Sequence, residues 1–568
     1  MNVSRRMTRR AWTLGCTALA GSVALAACGG SSGSGGSKSN GSGGNSGGKT
    51  GGTLKVLVGT APDSLDPGFG YTTQAIEADN MVYTPLLTYA FKEGTPGTVL
   101  QPGLASELPT VSSDRLTYTV KLRSGITYSD GTKLKASDFT HAIERSIKIS
   151  WGGKSFFTGY IQGASAYDSG KATSISGITT DDATGTITIK LTQPYGAFDN
   201  LLAFPASAPI PSTTPMKVLS NTPPVGIGPY KFSNVVPNAS YTLTKNTSFA
   251  GFKIPDIPTG FVDTVQVTVN SNTQTEAQQV LDNSADIFDP GDTIPASLLS
   301  QVQGQTSRYS KEALASTYYF FMNTKVAPFN NLAARQAVDM AVDRTALSRL
   351  SSGSLTPGCY FLPPPITGHV NGDCPFGPAG TVPSADTVAK AKKMIADAGL
   401  AGTKVTVWSE TRSPRQEYCA YLADLLNKLG FKASLKVIQD SVYFQTIGNQ
   451  SLYPQVGFAD WSQDFPNPSD FYLLLSKAGI QAVNSENFGN VNDPKIESQL
   501  ATLQQVPAAQ LSSSTSGWQD VDKYVASQAY VAVYGYETAP KFTSTRVDFG
   551  SAVFNPVNYL EFSTVSLK

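Results

Sequence analysis

Histidine is almost missing from these 568 residues: there are two, His141 and His369. With so few imidazoles, far apart in sequence, neither histidine-based acid–base chemistry nor a histidine-rich metal site has the residues it needs. Charge of one sign is missing as well. Lys+Arg 43 against Asp+Glu 42 leaves a formal net charge of +1, without the basic stripe that tracks a phosphate backbone, so nucleic acid is not an expected partner. Cysteine is sparse, at five residues, and no CxxC spacing suggests a metal centre. The apolar stretch Ala11–Ala27 falls short of the roughly 20 residues that cross a bilayer. No catalytic constellation, metal or cofactor is implied.

What is present first is an address. Arg5, Arg6, Arg9 and Arg10 precede the Ala- and Gly-rich stretch, which ends Leu25-Ala26-Ala27-Cys28. A charged start, a short apolar segment and small residues before a cut describe a secretory signal over residues 1–27. Cys28 after Leu-Ala-Ala resembles the lipobox of bacterial lipoproteins, which implies a diacylglyceryl thioether and a tether to the outer face of the cell membrane. The alternative is an ordinary cleaved signal with Cys28 incidental. Thr8-Arg9-Arg10-Ala11-Trp12 also resembles a twin-arginine signal, so two export routes stay open.

Residues 28–51 are nearly all Gly, Ser, Asn and Lys after the cysteine and read as a flexible linker. Gly43–Thr50 fits the phosphate-loop pattern GxxxxGK[ST], and Gly29-x-Ser31-x-Gly33 fits a nucleophile elbow. Both patterns have mechanical meaning only between a buried strand and a helix. Neither has that context, and both are products of composition. Beyond Cys16 and Cys28, three cysteines remain and allow three single pairings. Cys359 and Cys374 flank a Pro/Gly-rich loop and are the leading pair, whereas Cys419 sits in a helical pattern as a buried thiol.

The folded part, too long for one core, mixes both periodicities. Gly52–Val58, Leu116–Leu122, Thr186–Leu191 and Phe261–Val269 alternate as strands; Ala136–Ile147, with Ser137 as a cap, and Arg335–Leu347 read as amphipathic helices. Lys404–Trp408, a helix opened by Ser413-Pro414-Arg415-Gln416 and closed by Gly430, and Ala433–Ile438 form a βαβ unit. Ser384–Gly399 is another capped helix. The fold class is α/β.

Five separate blocks then carry a resemblance. They are Asp66-Pro67 with Tyr83–Leu87; Leu122–Thr132 with Ala136–Phe139; Gly226–Tyr230; Asn323–Phe329 with Arg335–Ala337 and Val342–Arg344; and Trp461–Pro468. In order and spacing the chain resembles the family 5 extracellular solute-binding proteins, the oligopeptide- and dipeptide-binding components of ABC importers. The resemblance implies a two-lobed periplasmic-binding-protein-like fold with a ligand cleft between lobes joined by crossing strands. Lobe I would comprise 52–320 plus 540–568, with an inserted subdomain at about 96–195, and lobe II 325–535. The connecting strands fall near Thr317–Asn323 and Val531–Tyr536. It implies a small solute as ligand, a peptide foremost, and the importer's permease subunits as partners.

It also implies site residues. Asp464 falls where peptide-binding members pair an acid with the peptide α-ammonium, a charge-assisted contact suited to a closing cleft; a turn-forming Asp before Phe-Pro is the plainer reading. Trp461 and Ser462 would line the same wall. Tyr71, Thr72 and Thr73 would offer an edge to an extended peptide. Phe157 and Tyr536 fit either ligand contact or core. Arg412 and Arg415 fit either partners for a ligand anion or solvated residues at a helix start, where a cation opposes the helix dipole. Asp460 stands where many members have Gly. Oligosaccharide or another polar metabolite is the runner-up ligand, and a peptide sensor without transport the runner-up role. A secreted hydrolase lacks a partnered nucleophile or HExxH motif; paired carboxylates are available, but the resemblance argues against them.

Replacing Cys28 by Ala should release the protein from membranes into the medium, followed by fractionation and immunoblot. Membrane retention of that variant would exclude the lipid anchor.

Overall fold

Alternating apolar residues build three larger sheets, beside two of two strands each, in the computed structural model, which describes residues 49–568. The signal segment, Cys28 and nearly all of the expected linker lie outside the described residues. In the first sheet Thr53–Val58 pairs in parallel with Thr264–Val269, and Ser240–Lys245 and Tyr230–Val236 complete four strands. Leu54, Val56, Val265 and Val267 turn inward, while Lys55 and Gln266 face solvent. The second is antiparallel, in the order Thr110–Val111, Thr117–Lys121, Thr186–Lys190, Ile178–Asp181. Its inner face pairs Tyr118 with Ile189 and Val120 with Ile187, the cross-strand packing that stabilises such sheets.

The third sheet has six strands, in the order Leu355–Thr356, Val531–Phe542, Tyr309–Met322, Val456–Ser462, Lys404–Glu410, Lys432–Ile438. Its last three strands are mutually parallel, as the βαβ reading requires. The two long strands, Tyr309–Met322 and Val531–Phe542, run antiparallel from one hydrophobic cluster to another. Tyr318–Met322 and Val531–Tyr536 pack in the cluster around the helix Arg415–Leu429, whereas Leu314 and Ala539 pack with Leu54, Val56 and Val265. A register shift between Ala313 and Thr317 marks the passage.

Local chemistry explains most boundaries. The Ser384 hydroxyl accepts the Thr387 N–H at 3.1 Å and opens the helix Ala385–Asp397. Gly430, at φ +105°, ends Arg415–Leu429, whose Tyr418, Leu422, Leu425, Leu426 and Leu429 are buried. In the turn Ser129–Thr132, Gly131 takes φ +89° and the Tyr128 N–H reaches the Thr132 carbonyl at 2.8 Å, the left-handed position that Asp-Gly supplies.

Three expectations need correcting. Ser137 does not cap its helix: it is the first helical residue of Ser137–Lys148, and its N–H and hydroxyl donate to Asp182 at 2.8 and 2.9 Å. Ser413 likewise donates to Glu417 at 3.0 Å, and the helix that follows Pro414 has no side-chain cap. The stretch Arg335–Leu347 is two helices, Leu332–Ala341 and Arg344–Leu350. Val342 is extended, and the Asp343 carboxylate caps the second helix through the Ala346 N–H at 2.9 Å. Ala337, Val338, Ala341 and Val342 are buried across that break.

Asp66, the first residue of the first sequence block, meets Arg145 in a fully buried bidentate pair, with both N–O distances 2.6 Å. Asp66 also accepts the N–H groups of Gly68 and Leu219. That block is therefore scaffold. Removing one partner of a buried ion pair typically costs about 3–5 kcal/mol because the other charge is stranded. Asp66→Ala should lower urea-denaturation stability by that order, whereas removing the exposed pair Lys393–Asp397 should leave it unmoved. Equal effects would show that the Asp66 pair anchors nothing.

Candidate functional site

Parallel strands present their carboxyl ends to ligands because the loops beyond them are free to vary, and here both large sheets aim those ends at one cavity of about 140 Å³. A space of that size admits on the order of ten waters, which suits a small molecule. Thr53–Val58 is followed by Thr60, Ala61 and Asp63; Lys404–Glu410 leads to Arg412 and Arg415; Lys432–Ile438 leads to Asp440; and Val456–Ser462 delivers Asp460, Trp461, Ser462 and then Asp464. Tyr71, Thr72, Thr73, Gly152, Glu486, Glu537 and Tyr559 line the remainder.

Asp464 is at the centre of this wall. The Tyr71 hydroxyl donates to its Oδ2 in a short hydrogen bond, and its own N–H donates to Asp470 Oδ2 at 2.8 Å. Burial pushes the Asp464 carboxyl up to about 7 against the pull of the Tyr71 hydrogen bond. The Tyr71 ring lies edge-on to Trp461, with centroids 5.7 Å apart, and 5.0 Å from Trp151. Asp464, Trp461, Ser462, Tyr71, Thr72 and Thr73 thus share one cavity. The anticipated backbone edge is not free, however. The Tyr71 and Thr72 N–H groups donate to Asp63 at 3.1 and 3.3 Å, and Thr72 precedes the helix Thr73–Val82. Tyr71 reaches the cavity through its ring and hydroxyl.

The two arginines also line the cavity, but as buried ion-pair partners rather than solvated residues. Arg412 donates to Asp292 Oδ1 at 2.7 Å and to the Gly291 carbonyl at 2.7 Å, with Asp289 at 3.5 Å. Arg415 meets Glu410 at 3.1 Å and Asp460 at 2.8 Å, and its guanidinium sits 5.1 Å over the Phe458 ring. These carboxylates hold Arg415 against the adverse helix dipole. Asp460, the residue where Gly was expected, therefore serves Arg415.

Phe157 and Tyr536 do not line this cavity. Phe157 is buried and stacks on Trp151 at 5.3 Å. The Tyr536 hydroxyl donates to the Tyr360 carbonyl at 2.9 Å beneath the loop that carries Cys359. Its sequence neighbour Glu537 lines the cavity and accepts the Tyr318 hydroxyl at 2.8 Å. Cys359 and Cys374 are joined by a disulfide, and Cys419 is a buried free thiol whose pKa burial pushes up to about 12. His141 and His369 hydrogen-bond the Thr214 and Leu362 carbonyls, away from the cavity.

Sequence reading missed Asp63, Glu410, Glu486 and Glu537. None sits in a motif. Only Glu410, two residues before Arg412 at the end of a strand, carried a usable signal. Burial pushes Glu410 and Glu537 up to about 7 and Glu486 up to about 8. Among the described residues no group of His, Cys, Asp and Glu is placed to hold a metal ion, and no helix is long and apolar enough to cross a membrane.

Two sheets whose strand ends converge on one partly open cavity, joined by crossing strands, define a two-lobed binding protein. The chain belongs to the bacterial extracellular solute-binding proteins, family 5, whose model matches residues 99–482. It is 26% identical over 423 residues to the dipeptide-binding protein DppE of Bacillus subtilis, covering 72% of this chain and 74% of that protein. It is 27% identical over 409 residues to the glutathione-binding protein GsiB of Escherichia coli K12, covering 70% and 73%. Among solved structures it superposes on the E. coli murein tripeptide binding protein MppA with a TM-score of 0.77 at 22% identity, covering 91% and 98%. Against the unliganded open form of MppA the TM-score is 0.59.

A carboxyl whose folded pKa exceeds its unfolded value binds its proton more tightly in the folded protein. Its stabilising contribution is complete below the unfolded pKa and lost as pH rises through the folded one. For Asp464 that window runs from its ordinary 3.8 to about 7. Urea titrations at pH 4.5 and 7.5 should therefore show Asp464→Asn gaining stability relative to wild type at the higher pH. A difference that does not change with pH would contradict the raised Asp464 pKa.

Proposed function

We propose that this chain captures peptides outside the cell and delivers them to the permease of an ABC importer, held at the membrane by a lipid on Cys28. In this reading lobe I spans 52–320 and 540–568, with an inserted subdomain at about 96–195, lobe II spans 325–535, and the ligand closes between them without being chemically changed. Asp464 carries the reading: a cavity-lining carboxylate beside two aromatic rings, held by the Tyr71 hydroxyl. A ligand ammonium replaces lost water with a charge-assisted hydrogen bond there, and Tyr71 and Trp461 offer ring faces to the same cation. The names of the relatives, a dipeptide-, a glutathione- and a murein tripeptide-binding protein, support a peptide as ligand.

A charge-assisted contact in a desolvated site contributes about 1.5–3 kcal/mol. Asp464→Asn should weaken a peptide with a free amino terminus by roughly ten- to a hundred-fold and barely change binding of its N-acetylated analogue. Calorimetric titration of both peptides against both proteins closes the cycle. A wild type that prefers the acetylated peptide, or that binds a sugar and no peptide, overturns the assignment.

A further inference from the structure

The cavity's charges do not balance, and the imbalance names a ligand chemistry. Its lining cations are Arg412 and Arg415, and both are paired: Arg412 with Asp292 and Asp289, Arg415 with Glu410 and Asp460. Each guanidinium is thus matched by two acids of the protein itself. Five lining carboxylates have no salt bridge among the described residues: Asp63, Asp440, Asp464, Glu486 and Glu537. Asp63, Asp440, Asp464 and Glu537 each accept a protein hydrogen bond. To the Glu486 carboxylate no side chain or N–H among the described residues donates, and its pKa is raised by burial and by Asp464 and Asp63 nearby.

Glu486 is held in place. Its loop is tied to the segment carrying Trp151 through Gln481, which donates to the Gly152 carbonyl at 2.6 Å, and Asn484, which donates to the Ser150 carbonyl at 2.9 Å. Gly152 makes the approach possible. A Cβ built there would lie 2.4 Å from Glu486 Oε1 and 2.7 Å from the Tyr71 ring, so any side chain at 152 would displace one or the other. Glu486 and Asp464 therefore flank the same phenol, one beside its ring and one on its hydroxyl. Thr60, 7% exposed, also lines the cavity, with a buried Oγ1 that has no partner among the described residues.

We infer that the ligand carries two cationic centres, an amino-terminal ammonium at Asp464 and a second cation at Glu486, as in a short peptide with a lysine or arginine near its amino terminus. The inference rests on the peptide reading above and adds a side-chain preference to it. Glu486 is the specificity-determining residue, with Tyr71 and Trp461 supplying ring surface between the two charges. No ligating set for a metal ion converges among the described residues, so the second cation is organic.

Calorimetry on the purified full chain tests this with Lys-Ala-Ala and Ala-Lys-Ala, each against its norleucine isostere, and with cadaverine as a diamine that is not a peptide. At least one lysine peptide should bind ten-fold or more tightly than its isostere. Glu486→Gln should abolish that preference, and continued binding of the norleucine peptides reports that the variant folds. Wild type binding lysine and norleucine peptides equally would overturn the inference and leave the peptide reading standing, whatever the variant does. Cadaverine binding that depends on Glu486, without peptide binding, would uphold the dication and overturn the peptide. Binding of none of these ligands would overturn both.

Discussion

Two guanidiniums inside the protein govern the site. A buried charge is tolerated only when paired and hydrogen-bonded, so Arg412 and Arg415 dictate where acids must stand. Arg412 draws in Asp292, Asp289 and the Gly291 carbonyl from a segment 120 residues earlier. Arg415 draws in Glu410 from its own strand end and Asp460 from the neighbouring strand. These contacts hold the first sheet's loops against the third sheet's strand ends and fix the walls of the cavity. Asp66 and Arg145 play the corresponding part away from it, tying the first sequence block to the helix Ser137–Lys148.

Neutralising those cations has a consequence for the acids that remain. Asp464, Glu486 and Glu537 face a shared, partly dehydrated space, and burial raises all three above the ordinary carboxylate range. In the empty protein they hold protons more tightly than free carboxylates do. An entering ammonium supplies the opposite charge that favours the ionised form, so binding a cation and releasing a proton are linked at these groups. The same field works against an anion, which would meet several carboxylates and no unengaged guanidinium. Selectivity in such a cavity is set as much by what it repels as by what it holds.

How much of this could be read beforehand follows the range of the interactions. The βαβ unit at 404–438 and the helix at 385–397 rest on local signals: periodicity, Ser384, Gly430. Asp464, Trp461, Ser462, Tyr71, Thr72 and Thr73 were reached through order and spacing of sequence blocks, and they share the cavity. Arg412 and Arg415 were located, but their roles were not legible, because Asp289, Asp292 and Asp460 approach them only through the fold. Ser137 and Ser413 misled because a capping residue type was present while a better partner, Asp182 or Glu417, lay within reach. Glu486 gave no signal at all. It is one acid in a polar loop, and its meaning depends on Gly152, more than 300 positions away, having no side chain.

The same geometry bears on how capture would work. The long strands Tyr309–Met322 and Val531–Phe542 pass between two hydrophobic clusters, and the register shift near Ala313 and Thr317 is a place where strands can flex. Contacts between the two sides are both polar and aromatic: Arg412 to Asp292, Tyr71 to Asp464, Gln481 and Asn484 to the segment at 150–152, and the rings of Tyr71 and Phe156 against Trp461 and Phe465. The polar ones exchange readily with water when the walls part, whereas separating the rings exposes apolar surface. Tyr71 then has two tasks. Its ring helps wall the cavity beside Trp461, and its hydroxyl holds the Asp464 carboxylate, so an ammonium reaching Asp464 would share or take over that hydrogen bond.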